Sequence, residues 1–231
     1  MENTIRLARS RAAVYPVVCD DSASRLFETV KWYFVLDFES TCSQGRSFLS
    51  EIIEFPVVLL DSSTGAIFDR FCRFVRPTEN PILTDFCVSL TGIHQEDVDG
   101  AQDLAVVLKE FEHWLRQKKL ELGCRFKPQT TSGALFVTWT DWDISDCLWN
   151  ECRRKKLAVP NDLFSRVDLK AIFQQWLTSS EPKVKWRGGL VDALHLVGLS
   201  FEGRPHRGID DAINTARLLF HLLSKNIYMT A

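Results

Sequence analysis

The chain has 231 residues, 45% of them hydrophobic, 25% charged and 11% aromatic, which is an ordinary globular composition long enough for one large domain or two small ones. No apolar run approaches the roughly 18–20 residues that span a bilayer, which excludes a transmembrane helix, and a formal net charge of −2 gives no global signal for nucleic acid. Seven cysteines at scattered positions, with no C-x-x-C pair, weigh against a disulfide framework or a zinc site and point to a reducing intracellular compartment, cytoplasm and/or nucleus.

Residues 1–31 show no sustained period. Arg6, Arg9 and Arg11 give them a faint transit-peptide flavour, but Glu2, Asp20 and Asp21 favour a polar leader, poorly ordered or peripheral, with one short helix near Ser24–Val30. Trp32–Asp37 reads as the first strand, and Ile52–Leu60 as a second in which Pro56 signals a bulge or an edge. After the turn chemistry of Asp61–Gly65, Ile67–Val75 forms a third, completing an antiparallel meander. A helical turn at Thr84–Leu90 follows. Asp103 then caps a helix through Lys119, whose Leu104, Val107, Leu108, Phe111 and Leu115 make one face apolar. Glu121–Gly133 lacks periodicity and reads as a loop.

Leu135–Thr140 is the fourth strand, running through Asp141-Trp142-Asp143 into a helix from Ile144 to about Lys156. A short strand at Arg166–Leu169, a helix at Lys170–Thr178, another at Leu190–Val197 ended by Gly198, and a last helix from Asp210 to Ser224 complete the pattern. The expected product is one α/β unit over 32–227, a mixed five-stranded sheet flanked by helices, with 228–231 as a tail. Between Arg153 and Arg187, nine basic residues face three acids, a local excess that fits either a phosphate-facing rim or a solvated surface.

The chemistry centres on Asp37 and Glu39. Residues two apart on an extended chain point the same way, so both carboxylates project together from the end of a buried strand. Side-by-side carboxylates repel, and an all-oxygen site of this kind suits Mg²⁺, with Mn²⁺ as a substitute. After the fourth strand Asp143 is the favoured matching acid over Asp141, because it opens the next helix, whose positive end tolerates a carboxylate. Near the C-terminus, His206 lies in a loop five residues before Asp211, outside any apolar stripe, a placement that suits a general base. Asp210 and Asp211 also have a plain capping reading, with Asp210 as the N-cap.

Four acids on separated segments plus a loop histidine are the inventory for two-metal phosphodiester hydrolysis, with ions roughly 3.5–4 Å apart. Asp37 would bridge the ions, with Glu39 and Asp211 on the nucleophile side and Asp143 on the leaving-group side. His206 would take the proton from water. Five blocks carry a resemblance: Phe38-Glu39-Ser40-Thr41-Cys42; Glu51-Ile52-Ile53-Glu54-Phe55-Pro56; Leu90-Thr91-Gly92-Ile93; Phe136 through Asp143; and Gly203 through Asp211. In that order they resemble the Eri-type exoribonucleases of the DEDDh group, and within them the vertebrate member-two branch.

The resemblance implies a ribonuclease H-like exonuclease fold and metal-dependent 3′–5′ trimming of RNA 3′ ends, single-stranded or stem-loop tails, with release of 5′-monophosphates. It implies metal binding by Asp37, Glu39, Asp143 and Asp211, a proton acceptor in His206, and contacts of Glu39, Ser40 and His206 with the terminal nucleotide. Ser40 stands where some relatives have Ala. Trp142 is a candidate for stacking on the 3′ base, with core packing as its equal; for Phe86 core packing is favoured. The founding member's nucleic-acid module and the zinc finger of longer relatives have no counterpart in these residues, which leaves the natural RNA open. A DNA exonuclease on the same site, and a non-catalytic RNA-binding scaffold, are the competing readings.

Overall fold

In the computed structural model of the chain, the described residues are 17–18, 30–44, 49–126, 133–180 and 186–228. The expected helix at 24–30 lies outside them except for its last residue. The elements are β1 (Val17–Val18), β2 (Trp32–Leu36), β3 (Glu39–Ser40), β4 (Ile52–Asp61), β5 (Ile67–Phe74), α1 (Asp85–Thr91), α2 (Gln95–Asp99) and α3 (Leu104–Leu122). They continue with β6 (Ala134–Thr138), a π-helical segment Asp143–Leu148, α4 (Trp149–Lys155), a 3₁₀ turn Asn161–Phe164, β7 (Arg166–Asp168), α5 (Leu169–Ser180), α6 (Leu190–Leu196), α7 (Gly208–Ser224) and β8 (Ile227–Tyr228).

The five expected strands form one mixed sheet in the order β5-β4-β2-β6-β7, antiparallel through β5, β4 and β2 and parallel through β2, β6 and β7. A sixth, two-residue strand was not foreseen. β3 pairs with β4 just beyond the point where β2 ends, Glu39 opposite Glu54. Pro56 marks this break and no edge: β4 is internal, and Pro56 falls between the Leu36–Val57 and Glu39–Glu54 pairs on one side while standing opposite Cys72 of β5 on the other. A separate two-stranded pair joins β1 to β8.

β2 is an unbroken apolar run because both sheet faces are covered. Phe34 and Leu36 pack on one side with Phe55, Phe111, Phe136 and Leu148, under α3 and the segment after β6. Tyr33 and Val35 pack on the other with Val137, Phe173, Leu194 and Leu219, under α5, α6 and α7. α3 runs three residues past the expected end, from the Asp103 cap, whose carboxylate accepts from Val106 N–H, to Gly123 in the left-handed conformation.

Among the described residues, the basic stretch is not one rim. Arg154 pairs with Glu79, Lys155 with Glu51 and Glu151, and the buried Arg166 with Asp141. Arg153, Lys156 and Arg187 are left exposed. No described helix is long and apolar enough to cross a membrane, and the six described cysteines are free thiols.

Candidate metal and active site

β2 and β6 run parallel with Leu36 opposite Thr138, so their carboxyl ends emerge at one edge of the sheet, where open α/β sheets place their sites. Asp37 follows β2 directly, Glu39 opens β3, Asp143 opens the π-helical segment after β6, and Asp211 sits in the first turn of α7. Carboxylate oxygens of Asp37, Glu39 and Asp211 lie within 4.8 Å of one another. Asp143 stands beside this trio: its Oδ1 accepts the N–H of Phe38, the residue between Asp37 and Glu39, at 2.8 Å. Asp141 has a different task, gripping Arg166 at 2.6 Å, which fits the preference for Asp143.

Packing four acids together has an electrostatic consequence. Burial, then the charges of Asp143, Asp211, Glu39 and Glu54, hold the Asp37 carboxyl well above the usual range. Burial together with Asp211, Glu54 and Asp143 pushes Glu39 up to about 9, against a small opposing pull from Arg207. Burial raises Asp143 to about 7, partly offset by the Phe38 N–H. Burial also raises Asp211 to about 7, partly offset by the backbone N–H of His206. Such a cluster is compensated at neutral pH by protons or by cations, and its all-oxygen donor set fits a hard divalent ion.

The folded chain therefore holds protons that an unfolded chain, with carboxyls near 4, releases. The stability linked to them is complete below about pH 4 and is lost as pH rises through about 7 and then about 9. Without divalent metal, Tm is expected to fall between pH 5 and 9, and saturating Mg²⁺ or Mn²⁺ to flatten that fall. A metal-free melting series with a constant Tm over this window contradicts the charge crowding. Glu51, held below its usual range by Lys155 and the N–H groups of residues 78–80 although burial pulls it up, loses its contribution only at lower pH.

His206 is exposed and takes φ +63°, a conformation unusual for a residue with a side chain. Its turn wraps the start of α7. Arg204 N–H donates to Asp210 Oδ2 at 2.9 Å, and the Arg204 guanidinium donates to Ser89 O at 2.8 Å. That guanidinium occupies the space a Cβ on Gly92 would need, so Gly92 admits the turn onto the end of α1. Asp210 is not the N-cap expected of it; α7 begins two residues earlier, at Gly208. Trp142 and Phe86 are 44% and 39% exposed, so core packing accounts for neither. Ser40 is half-buried at the end of β3. Beside Trp142 runs a groove of about 390 Å³, lined by Asp146, Asn150, Arg153, Arg154 and Ser50.

Glu54 was not singled out from the sequence as a site residue. It is fully buried on β4, and its Oε2 accepts Gly208 N–H at 3.0 Å while Oε1 pairs with Arg207 Nε at 3.3 Å. The available signal was a charge inside an otherwise apolar strand.

The exonuclease family model, of RNase T type, matches residues 34–219. This chain belongs to the exonuclease family. It is 40% identical over 240 residues to ERI1 exoribonuclease 2 of Mus musculus, covering 98% of this chain and 34% of that relative. To the 3′–5′ exonuclease Snipper of Drosophila melanogaster it is 38% identical over 197 residues, covering 81% of this chain and 68% of that one. Among solved structures, the nuclease domain of 3′hExo, a DEDDh family member bound to rAMP, matches with a TM-score of 0.76 at 32% identity. The match covers 90% of this chain and 98% of that domain. A 3′-exonuclease in 3′-end-specific recognition of a histone mRNA stem-loop matches at TM-score 0.74 and 33% identity, over 87% of this chain and 84% of that one. The fold is therefore the ribonuclease H-like fold of DEDDh exonucleases, as the resemblance implied. The chain spans 30% to 40% of the length of the vertebrate ERI1 exoribonuclease 2 relatives.

Proposed function

We propose that the chain is a metal-dependent 3′–5′ exoribonuclease that removes nucleotides one at a time from RNA 3′ ends, single-stranded or stem-loop tails, and releases 5′-monophosphates. The observation that carries this reading is the meeting of Asp37, Glu39 and Asp211 oxygens within 4.8 Å, with Asp143 bonded to the peptide between the first two. Asp37, Glu39, Asp143 and Asp211 would hold two Mg²⁺ ions, or Mn²⁺ in their place. Bound there, such ions neutralise charge on the scissile phosphate and make water a stronger nucleophile.

The chain's own groups do the rest. His206, exposed at the rim, takes the proton from the attacking water. Glu39 and Ser40 contact the terminal nucleotide, and Trp142 offers a half-open indole face for its base. The groove beyond Trp142 takes the strand behind the 3′ end, with Arg153 facing a phosphate. Arg153→Glu is then expected to raise KM for RNA several-fold, more than it lowers kcat, and to flatten the salt dependence by about one phosphate contact. An unchanged KM and salt slope removes the groove from the RNA path. Scattered cysteines without a C-x-x-C pair, four of the six described ones buried, support a reducing intracellular location.

Divalent ions held by the acids would grip phosphate and are blind to the sugar, and the names of Snipper and of cell-death related nuclease 4, matched at TM-score 0.76 and 25% identity, specify no RNA. The test is a pair of 5′-labelled RNA and DNA oligomers of one sequence with Mg²⁺. RNA shortened stepwise from its 3′ end, with DNA spared, supports the reading. Equal trimming of both turns it into a general 3′–5′ exonuclease, and no trimming of either leaves a binding scaffold.

A further inference from the structure

We infer that Glu54 is a positioning residue that caps α7 from a distant strand and so sets His206 and Asp211 against the end of β2. The inference rests on the exonuclease reading above. Helix N-termini carry unpaired N–H groups, normally met by a side chain immediately before the helix. The N-cap position of α7 is Arg207, whose side chain makes no cap hydrogen bond. The N–H of Gly208 donates to Glu54 Oε2 at 3.0 Å, across 154 residues of sequence. A buried carboxylate is retained only where it is well paired, and this one is. Its other oxygen takes Arg207 Nε at 3.3 Å and the Cys72 thiol at 3.5 Å. The Arg207 guanidinium in turn lies 4.9 Å from the ring of Phe74, which is the β5 partner of Glu54.

The grip acts at close quarters. A Cβ on Gly208 would fall 2.6 Å from the backbone oxygen of Asp37 and 3.0 Å from Pro56 Cγ, so the first residue of α7 is pressed onto the end of β2. His206 lies two residues before that point, in a left-handed conformation its neighbours must sustain, and Asp211 lies three after it. Moving Gly208 therefore moves the base and one acid together relative to Asp37.

The experiment compares Glu54→Ala with Glu54→Gln, whose amide oxygen can still accept from Gly208 N–H. With saturating Mg²⁺ and an RNA oligomer, Glu54→Ala is expected to lower kcat about 10–100-fold, the range for groups that orient a site's ligands, with KM within about twofold. Glu54→Gln is expected to recover most of that loss. Amide hydrogen exchange gives a second readout that needs no activity. Gly208 and Asp211 should exchange faster in Glu54→Ala while Val58, in the buried centre of β4, keeps its protection. Unchanged kcat in a folded Glu54→Ala, an equal loss in both variants, or unchanged Gly208 exchange overturns the inference. If Glu54→Ala does not fold, Glu54→Gln decides: retained Gly208 protection with near wild-type kcat supports it, and lost protection with unchanged kcat overturns it. Wild-type inactivity on RNA and DNA would sink the exonuclease reading instead, and the exchange data would still decide the cap.

Discussion

Replacing Asp37 with Ala is expected to slow RNA hydrolysis by at least about 10³-fold, the scale of losing a principal transition-state stabiliser, while the metal-free fold holds or gains stability. The two effects have one cause. Asp37 is pressed by Asp143, Asp211, Glu39 and Glu54 in a desolvated setting that opposes its ionisation. Removing it relieves repulsion, and the contact of this position with Gly208 runs through backbone oxygen, which Ala retains. Single-turnover rates and metal-free melting curves measure both. Undiminished hydrolysis would place the chemistry elsewhere in the chain, and a large drop in Tm would mean that Asp37 serves the fold first.

His206→Asn is expected to slow the chemical step by about 10²–10⁴-fold, the usual worth of a positioned general base, with RNA binding largely kept. Asn is the informative replacement because it tolerates the left-handed backbone at φ +63° better than most residues and so leaves the turn in place. The side chain is exposed, so little packing is lost with it. Single-turnover cleavage alongside an RNA-binding titration separates the two quantities. A rate within twofold of wild type would remove His206 from proton transfer, and equal losses in rate and binding would make it a binding group.

Much of this candidate site was legible because local chemistry announces it. The apolar run of β2 ends in Asp37 and Glu39 at a spacing that puts them on one side, Asp143 opens the π-helical segment, and Asp211 lies in the first turn of α7. Asp103 and Gly123 bracket α3 with local caps, so that helix was readable to within a few residues. What escaped depends on partners far along the chain. α7 starts at Gly208 because Glu54, on β4, meets its first N–H; no rule of local capping reaches that distance.

The basic stretch looked like a surface because its counter-charges, Glu51, Glu79 and Asp141, come from elsewhere. Lys155 is consumed by Glu51, which also gathers the N–H groups of Thr78, Glu79 and Asn80 and so ties the loop after β5 to α4. The π-helical start after β6 is likewise invisible to periodicity. It shifts the hydrogen-bonding register for six residues at the point where Asp143 must face the strand ends, a frequent position for such segments.

The most direct measurement is a calorimetric titration of the metal-free chain with Mn²⁺ at pH 7, with adenosine 5′-monophosphate present, in buffers of different ionisation enthalpy. Because Glu39 rests near 9 and Asp143 and Asp211 near 7, filling the cluster must expel protons, and the apparent heat must vary with the buffer. The expected result is two ions per chain with proton release, both lost in Asp37→Ala. Absence of binding, or two ions still bound after that substitution, would contradict the assignment of these four carboxylates as the metal site.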